Sequence, residues 1–172
     1  SNDLINNTEN SLDSYSNYFI GIGYQLNSIA DNELYKNNYT IALRGKLGKR
    51  RNEITEKTQF QLELLTSSNL QTSKRSYVYI KTESKMLKSS NYLFNELYRI
   101  GGANSIRGVN EQSIFTNMYS FANIEFRYLT SATSYLYTIT DLGFYNNAIS
   151  DKLNTIYGLG GGYRFKLNNN FL

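Results

Sequence analysis

The chain has 172 residues, a formal net charge of +4 and 40 % apolar residues, with a mean hydropathy of -0.49. No apolar run approaches the roughly 18 to 20 residues of a membrane-spanning helix, so helical membrane proteins are excluded. The chain has no cysteine, which excludes a disulfide framework and a thiolate metal site, and no histidine, the commonest general base. Composition therefore predicts a protein that is not an enzyme and that carries no cofactor or metal.

Apolar and polar side chains alternate along residues 15–172 in segments of about ten residues, a pattern typical of β-strands with two different faces. The first such segment, 18–29, places Tyr18, Ile20 and Ile22 on the face opposite Gly21 and Gly23. The same alternation predicts strands over 38–48, 57–66, 75–84, 91–98, 117–129, 134–144 and 156–167. These strands, about eight in number, are long enough to cross a bilayer at a tilt, whereas strands of a soluble sandwich are usually shorter.

Two compositional features agree with a barrel in a membrane. The chain has 16 tyrosines, which suit an interface that is apolar on one side and wet on the other. It has no proline, as expected for a chain that is mostly paired strand. The alternative is a soluble β-protein with a tyrosine-rich surface. Residues 1–14 are polar and are interpreted as a leader or linker.

The connections predict which end of the sheet each loop occupies. The longest connection is 99–116, whereas Thr130–Thr133 is a tight turn. Alternation of short and long connections would place 99–116 on the same side as 30–37 and 67–74. The basic cluster Lys49-Arg50-Arg51 lies between two predicted strands and is interpreted as a solvated turn. No basic face with interleaved aromatics is visible, so nucleic acid is not an expected partner.

The sequence GGANSIRGVN, residues 101–110, places Arg107 in a loop with glycines on both sides. Glu125 follows on the polar face of the next predicted strand, and Asp141 lies near the end of the strand after it. An arginine that enters a barrel interior needs carboxylate partners, and its planar fork can bind two of them. The loop would turn sharply at Gly101, Gly102 and Gly108. We interpret this set as a structural latch; the alternative is an exposed arginine in a glycine-rich turn.

Glycines on the polar face of two predicted strands suggest that something approaches the sheet closely, or that the barrel bends there. They are Gly21 and Gly23 in the first strand, and Gly158, Gly160 and Gly162 in the last. A loop held in the lumen would need the space that they leave.

The sequence Ile106-Arg107-Gly108-Val109, preceded by Gly101-Gly102, resembles the (V/I)-R-G-(F/Y) lid-loop motif of the BamA/TamA superfamily of outer-membrane assembly barrels. The segments after the motif are also similar, in the family's order. They are the strand 122–127 with its Glu-Phe, the Asp-Leu-Gly of 141–143, and the glycine-rich strand 157–167. The resemblance covers roughly residues 93–167, and the earlier part of the chain matches only in its barrel-like texture.

The resemblance implies a bacterial outer-membrane protein that inserts or translocates β-barrel clients. The family's lid loop folds into a sixteen-stranded barrel, and its arginine contacts the two carboxylates that correspond here to Glu125 and Asp141. The implied partners are outer-membrane lipid or detergent, unfolded β-barrel client proteins, and periplasmic POTRA domains, which this chain lacks. Its position in the family pattern would make the chain a fragment, strands seven to fourteen of sixteen, without the lateral seam.

Two departures and one alternative accompany the resemblance. Val109 stands where the family usually has an aromatic residue, and the sequence after Asn170 does not show the family's terminal strands. A small porin, an adhesin-like barrel or a soluble barrel that acts as a binding module would use the same strands without the latch.

Overall fold

The computed structural model describes residues 15–28, 38–51, 55–147, 152–167 and 170–171, so the predicted leader, 1–14, lies outside the described residues. Most of the described chain is β-strand, as the alternation predicted. The elements, in chain order, are β1 (Ser16–Asn27), β2 (Asn38–Arg51), β3 (Glu56–Gln71), β4 (Ser76–Lys88), the 3-10 helix η1 (Phe94–Glu96), β5 (Tyr98–Ile100), β6 (Ile114–Ser131), β7 (Ser134–Asn147), β8 (Lys152–Leu167) and β9 (Asn170–Phe171).

These strands form a single antiparallel sheet. Its order is β1-β2-β3-β4-β6-β7-β8-β9, and the short β5 pairs with β6 beside this path. The all-β antiparallel prediction is therefore confirmed. Within the described residues β1 and β9 do not pair with each other, so the sheet is open. No described helix has the length and apolar character needed to span a bilayer.

The predicted strand over 91–98 is wrong. Residues 94–96 form the 3-10 helix, and only Tyr98–Ile100 pairs with the sheet. Because this segment does not cross the sheet, the loop after it lies at the end where β2 stops and β3 begins. The prediction that 99–116 shares a side with 30–37 and 67–74 is wrong for the same reason. The loop itself is shorter than predicted and spans residues 101–113.

The two faces of the sheet differ in polarity, because side chains alternate along each strand and stay in register across the strands. One face, here called the apolar face, carries large exposed apolar side chains in β1, β2, β6, β7 and β8. Ile22 on this face is 84 % exposed. The opposite face, here called the loop-bearing face, is covered in part by residues 101–113. Its charged residues include Arg44, Glu63, Glu83, Glu125, Arg127 and Asp141.

Candidate functional site

The loop 101–113 folds back onto the sheet. Its three glycines all have positive φ, at +117° for Gly101, +90° for Gly102 and +88° for Gly108, a region that side chains with a Cβ rarely adopt. The first turn is closed by Ser105, whose hydroxyl accepts a hydrogen bond from the Gly101 amide at 2.7 Å. These glycines allow the reversal that turns the following residues toward the sheet.

Ile106 anchors the loop through apolar contacts. It is 0 % exposed and packs with Ile100, Tyr119 and Phe121, and Val109 lies against the same cluster. Burial of such a side chain contributes about 1.5–3 kcal/mol. Ile106 therefore anchors the loop to the sheet by apolar packing, while Arg107 binds the carboxylates.

Arg107 binds both predicted carboxylates at once. Asp141 accepts three of its hydrogen bonds, from the backbone amide at 2.9 Å, from Nε at 2.8 Å and from Nη2 at 2.6 Å. Its Nη1 donates to Glu125 Oε1. Asp141 is 0 % exposed, so its charge depends on this partner. The hydrogen bonds that the Arg107 guanidinium donates to Asp141, together with the one it donates to Glu125 and the two negative charges, raise its pKa above the ordinary value.

The sheet register explains why the loop sits where it does. Asn123, Asp141 and Gly158 are direct neighbours across β6, β7 and β8. Asn123 donates to the Ser105 carbonyl at 2.6 Å, Asp141 binds Arg107, and the Arg107 carbonyl oxygen lies against Gly158 where a Cβ would otherwise stand. One row across three strands thus provides an amide, a carboxylate and an open space for the loop.

The other four glycines that were predicted to make room for a loop, in β1 and β8, do not receive it. A Cβ at Gly160 would make ordinary contact with Ile139 at 3.6 Å, and a Cβ at Gly162 would lie 2.6 Å from Cζ of Tyr137. Gly21 and Gly23 lie beside the side chains of Lys46 and Arg44. The idea that these glycines make room for a loop therefore holds for Gly158 and not for these four.

Arg127 is a member of the site that the sequence reasoning missed. Its Nε donates to Glu125 Oε2 at 2.9 Å, so Glu125 binds an arginine with each oxygen. Its guanidinium lies over the Tyr79 ring at 4.3 Å and near Tyr135 at 5.3 Å. Two arginines and two carboxylates leave the group electrically neutral. The available signal was the spacing, because residues 125 and 127 share a strand face.

Arg127→Ala should weaken the latch by removing one of the two partners of Glu125. We expect a loss of about 1.5–3 kcal/mol in the free energy of unfolding, typical of a hydrogen bond to a charged group. A double-mutant cycle with Glu125→Gln measures the coupling in thermal unfolding. Arg44→Ala, which removes an arginine on the same face that faces Glu63 at 3.8 Å, is the control and should show no coupling to Glu125. Equal coupling for both arginines would contradict the assignment.

A second buried network lies at the loop end of the sheet. Arg50 is 1 % exposed and forms an ion pair with the Glu96 carboxylate, whose side chain is 3 % exposed. Gln59 donates to Glu96 at 2.8 Å, and Arg50 donates to Asn91 at 2.7 Å. The interpretation of the basic cluster as a solvated turn is therefore wrong for Arg50. Residue 50 shares the face of residues 44 and 46, and this parity was the signal that could have found it.

The arrangement is suited to holding a loop against a sheet. The charged groups of the site are paired with each other, and the described residues contain no group of three or more His, Cys, Asp and Glu placed to bind a metal ion. Comparison with protein-family models, with curated proteins and with solved structures finds no match for the chain. The function is therefore argued from the geometry.

Proposed function

We propose that this chain is part of an outer-membrane β-barrel that assembles or translocates other β-barrel proteins, similar to the BamA/TamA superfamily. The observation that carries the proposal is the simultaneous binding of Arg107 to Glu125 and Asp141 by a loop folded onto the polar face. The motif resemblance implies this contact. The same three residues meet in the structure, on the strands that the resemblance assigns to them.

The apolar face supports a position in a membrane. Seven strands have 12 to 18 residues, more than the roughly 9–11 that cross a bilayer at a tilt. Their large exposed apolar side chains share one face, and such a surface in water would drive association. Tyr39, Tyr128 and Tyr163 lie on this face near the strand ends opposite the loop, where a barrel has an aromatic girdle.

The open sheet supports a barrel larger than the described strands. The loop-bearing face holds residues 101–113 together with paired charges, more material than the side chains that fill an eight-stranded barrel. Further strands at the β1 and β9 edges would close a wider barrel around the loop and would remove both exposed edges. In this proposal the latch keeps the loop in the lumen, while clients enter at a seam outside the described strands.

The test is insertion of a client by the whole gene product in lipid vesicles. We expect a urea-unfolded outer-membrane barrel to acquire a heat-resistant gel band faster with the protein than in empty vesicles. Arg107→Ala should reduce this acceleration, while Arg99→Ala, which removes an exposed arginine near the loop, should not. Steady ion conductance without any acceleration would indicate a porin-like barrel. A protein that stays folded and monomeric without detergent would overturn the membrane assignment.

A further inference from the structure

The segment that leads into the loop, residues 89–97, is held at a place distant from Arg107 in the sheet. It begins after β4, reaches the ends of β2 and β3 through Arg50 and Gln59, and returns to β6 through β5. The Arg107 contacts involve β6 and β7 instead. The charged contacts of the leading segment and of the loop tip therefore have separate partners, Arg50 of β2 for the segment and the two carboxylates of β6 and β7 for the tip.

The contacts of the leading segment centre on the buried carboxylate of Glu96. Glu96 pairs with Arg50, accepts from Gln59 at 2.8 Å and accepts from the Leu93 amide at 3.1 Å. Arg50 also donates to Asn91 at 2.7 Å, so it binds the segment at two positions. Removal of one partner from a buried pair leaves the other charge uncompensated, which is strongly unfavourable. If the segment left the sheet, the charges of Arg50 and Glu96 would become exposed to solvent or would lose their partners.

Between the two sets of contacts lie two glycines at which the backbone turns. Gly101 and Gly102 both have positive φ and follow directly after β5, which ends at Ile100. Before them, Phe94 stacks on Phe115 at 4.1 Å between ring centroids, adding apolar packing to the leading segment. After them, the tip depends on Ile106 and Arg107. A change at the tip can therefore be absorbed at the two glycines.

We propose that Arg50 and Glu96 are positioning residues that hold the leading segment independently of Arg107. Release of Arg107 then frees only the tip beyond Gly102, while residues 89–97 stay across the ends of β2 and β3. The tip beyond Gly102 then moves while residues 89–97 stay in place. This proposal concerns contacts within the chain and stands whether or not the barrel inserts clients.

The absence of cysteine makes the proposal measurable with single introduced thiols. Three serines suit nearly isosteric replacement by cysteine. Ser89 has a buried hydroxyl in the leading segment, Ser105 is buried in the tip, and Ser90 is exposed. The rate of reaction with a maleimide reports local opening at each position. Ser90→Cys should react fast in every background and serves as the reference.

We expect Arg50→Ala to raise the reaction rate at Ser89→Cys about tenfold or more, as loss of a buried pair should, and to change Ser105→Cys less than about twofold. Arg107→Ala should raise the reaction rate at Ser105→Cys about tenfold or more and should change the rate at Ser89→Cys less than about twofold. Arg51→Ala is the matched control: it removes the same charge one residue away, from an exposed side chain, and should change neither rate. Glu96→Gln, which keeps the shape and removes the charge, provides a second variant should Arg50→Ala fail to fold.

Two outcomes would overturn the proposal. One is continued protection of Ser89→Cys in the folded variant, whether Arg50→Ala or Glu96→Gln. The other is equal exposure of both positions by either arginine variant, which would mean that the segment and the tip open as one unit. Neither outcome depends on client insertion, so failure here is distinguishable from failure of the proposed function.

Discussion

Replacing Arg107 with glutamate is expected to release the loop tip and to lower the free energy of unfolding by about 3 kcal/mol, near the lower end of the cost of breaking a buried ion pair. The lower end applies because the Arg107 side chain is 21 % exposed. The substitution places a third carboxylate against Glu125 and Asp141, and the 0 % exposed Asp141 loses its cation. Denaturant titration followed by tyrosine fluorescence measures the free energy of unfolding, and Ser105→Cys labelling measures the release of the tip.

Three variants separate charge from shape at this site. Arg99→Glu makes the same charge change at an exposed neighbour of the loop and should leave Ser105 protected. Arg107→Lys keeps the charge without the forked donors and should retain part of the stability. Arg107→Glu combined with Glu125→Arg should restore only part of it, because the new arginine lies beside Arg127. Wild-type stability and labelling in Arg107→Ala would be incompatible with a latch.

Gly158→Ala should also displace the tip, although it changes no charge. The added Cβ would overlap the Arg107 carbonyl oxygen, which is backbone and cannot rotate away. Overpacking of this kind costs about 1–3 kcal/mol, and loss of the latch contacts adds to it. Gly160→Ala is the matched control on the same strand and face, since its Cβ would make ordinary contact with Ile139 at 3.6 Å.

The readout for the glycine pair is again the labelling of Ser105→Cys. We expect a clear rise in rate for Gly158→Ala and none for Gly160→Ala. Combined with Arg107→Ala, Gly158→Ala should add little, because both changes release the same tip. A shared effect of the two glycine variants would point to general strand sensitivity rather than to the close approach of the loop.

The strands and their faces were predictable because alternation is a local property. A strand with one apolar face has an apolar side chain at every second residue, and this pattern does not depend on which strands pair with it. The predicted bounds were too short at polar ends such as 49–51, since backbone pairing continues there without apolar side chains. The segment 91–98 alternates as well, yet residues 94–96 fold as a 3-10 helix, in which Glu96 binds Arg50 and Gln59 from other strands.

Arg107, Glu125 and Asp141 were selected from the sequence by charge, by loop glycines and by the order of a family motif. Those signals predict that an arginine needs carboxylates, but they do not say which contacts each atom makes. Arg127 and Arg50 were missed because a second arginine on a polar face is usually solvated. Arg127 is covered by Tyr79 and bound by Glu125, which lies two residues before it on β6, while strand pairing brings Tyr79 near. Arg50 is bound by Glu96, which is brought near when residues 89–97 cross the ends of β2 and β3.

The two-faced antiparallel strands and the charged, glycine-rich loop follow from the sequence alone, because they depend on residues that are close together in the chain. Tertiary contacts were needed to show that the sheet is open within the described residues, that the loop and the segment before it are bound at different places, and that Gly158 alone among the polar-face glycines of β8 receives the loop. The physical reason is register: which side chains meet across strands depends on pairings between residues far apart in the chain.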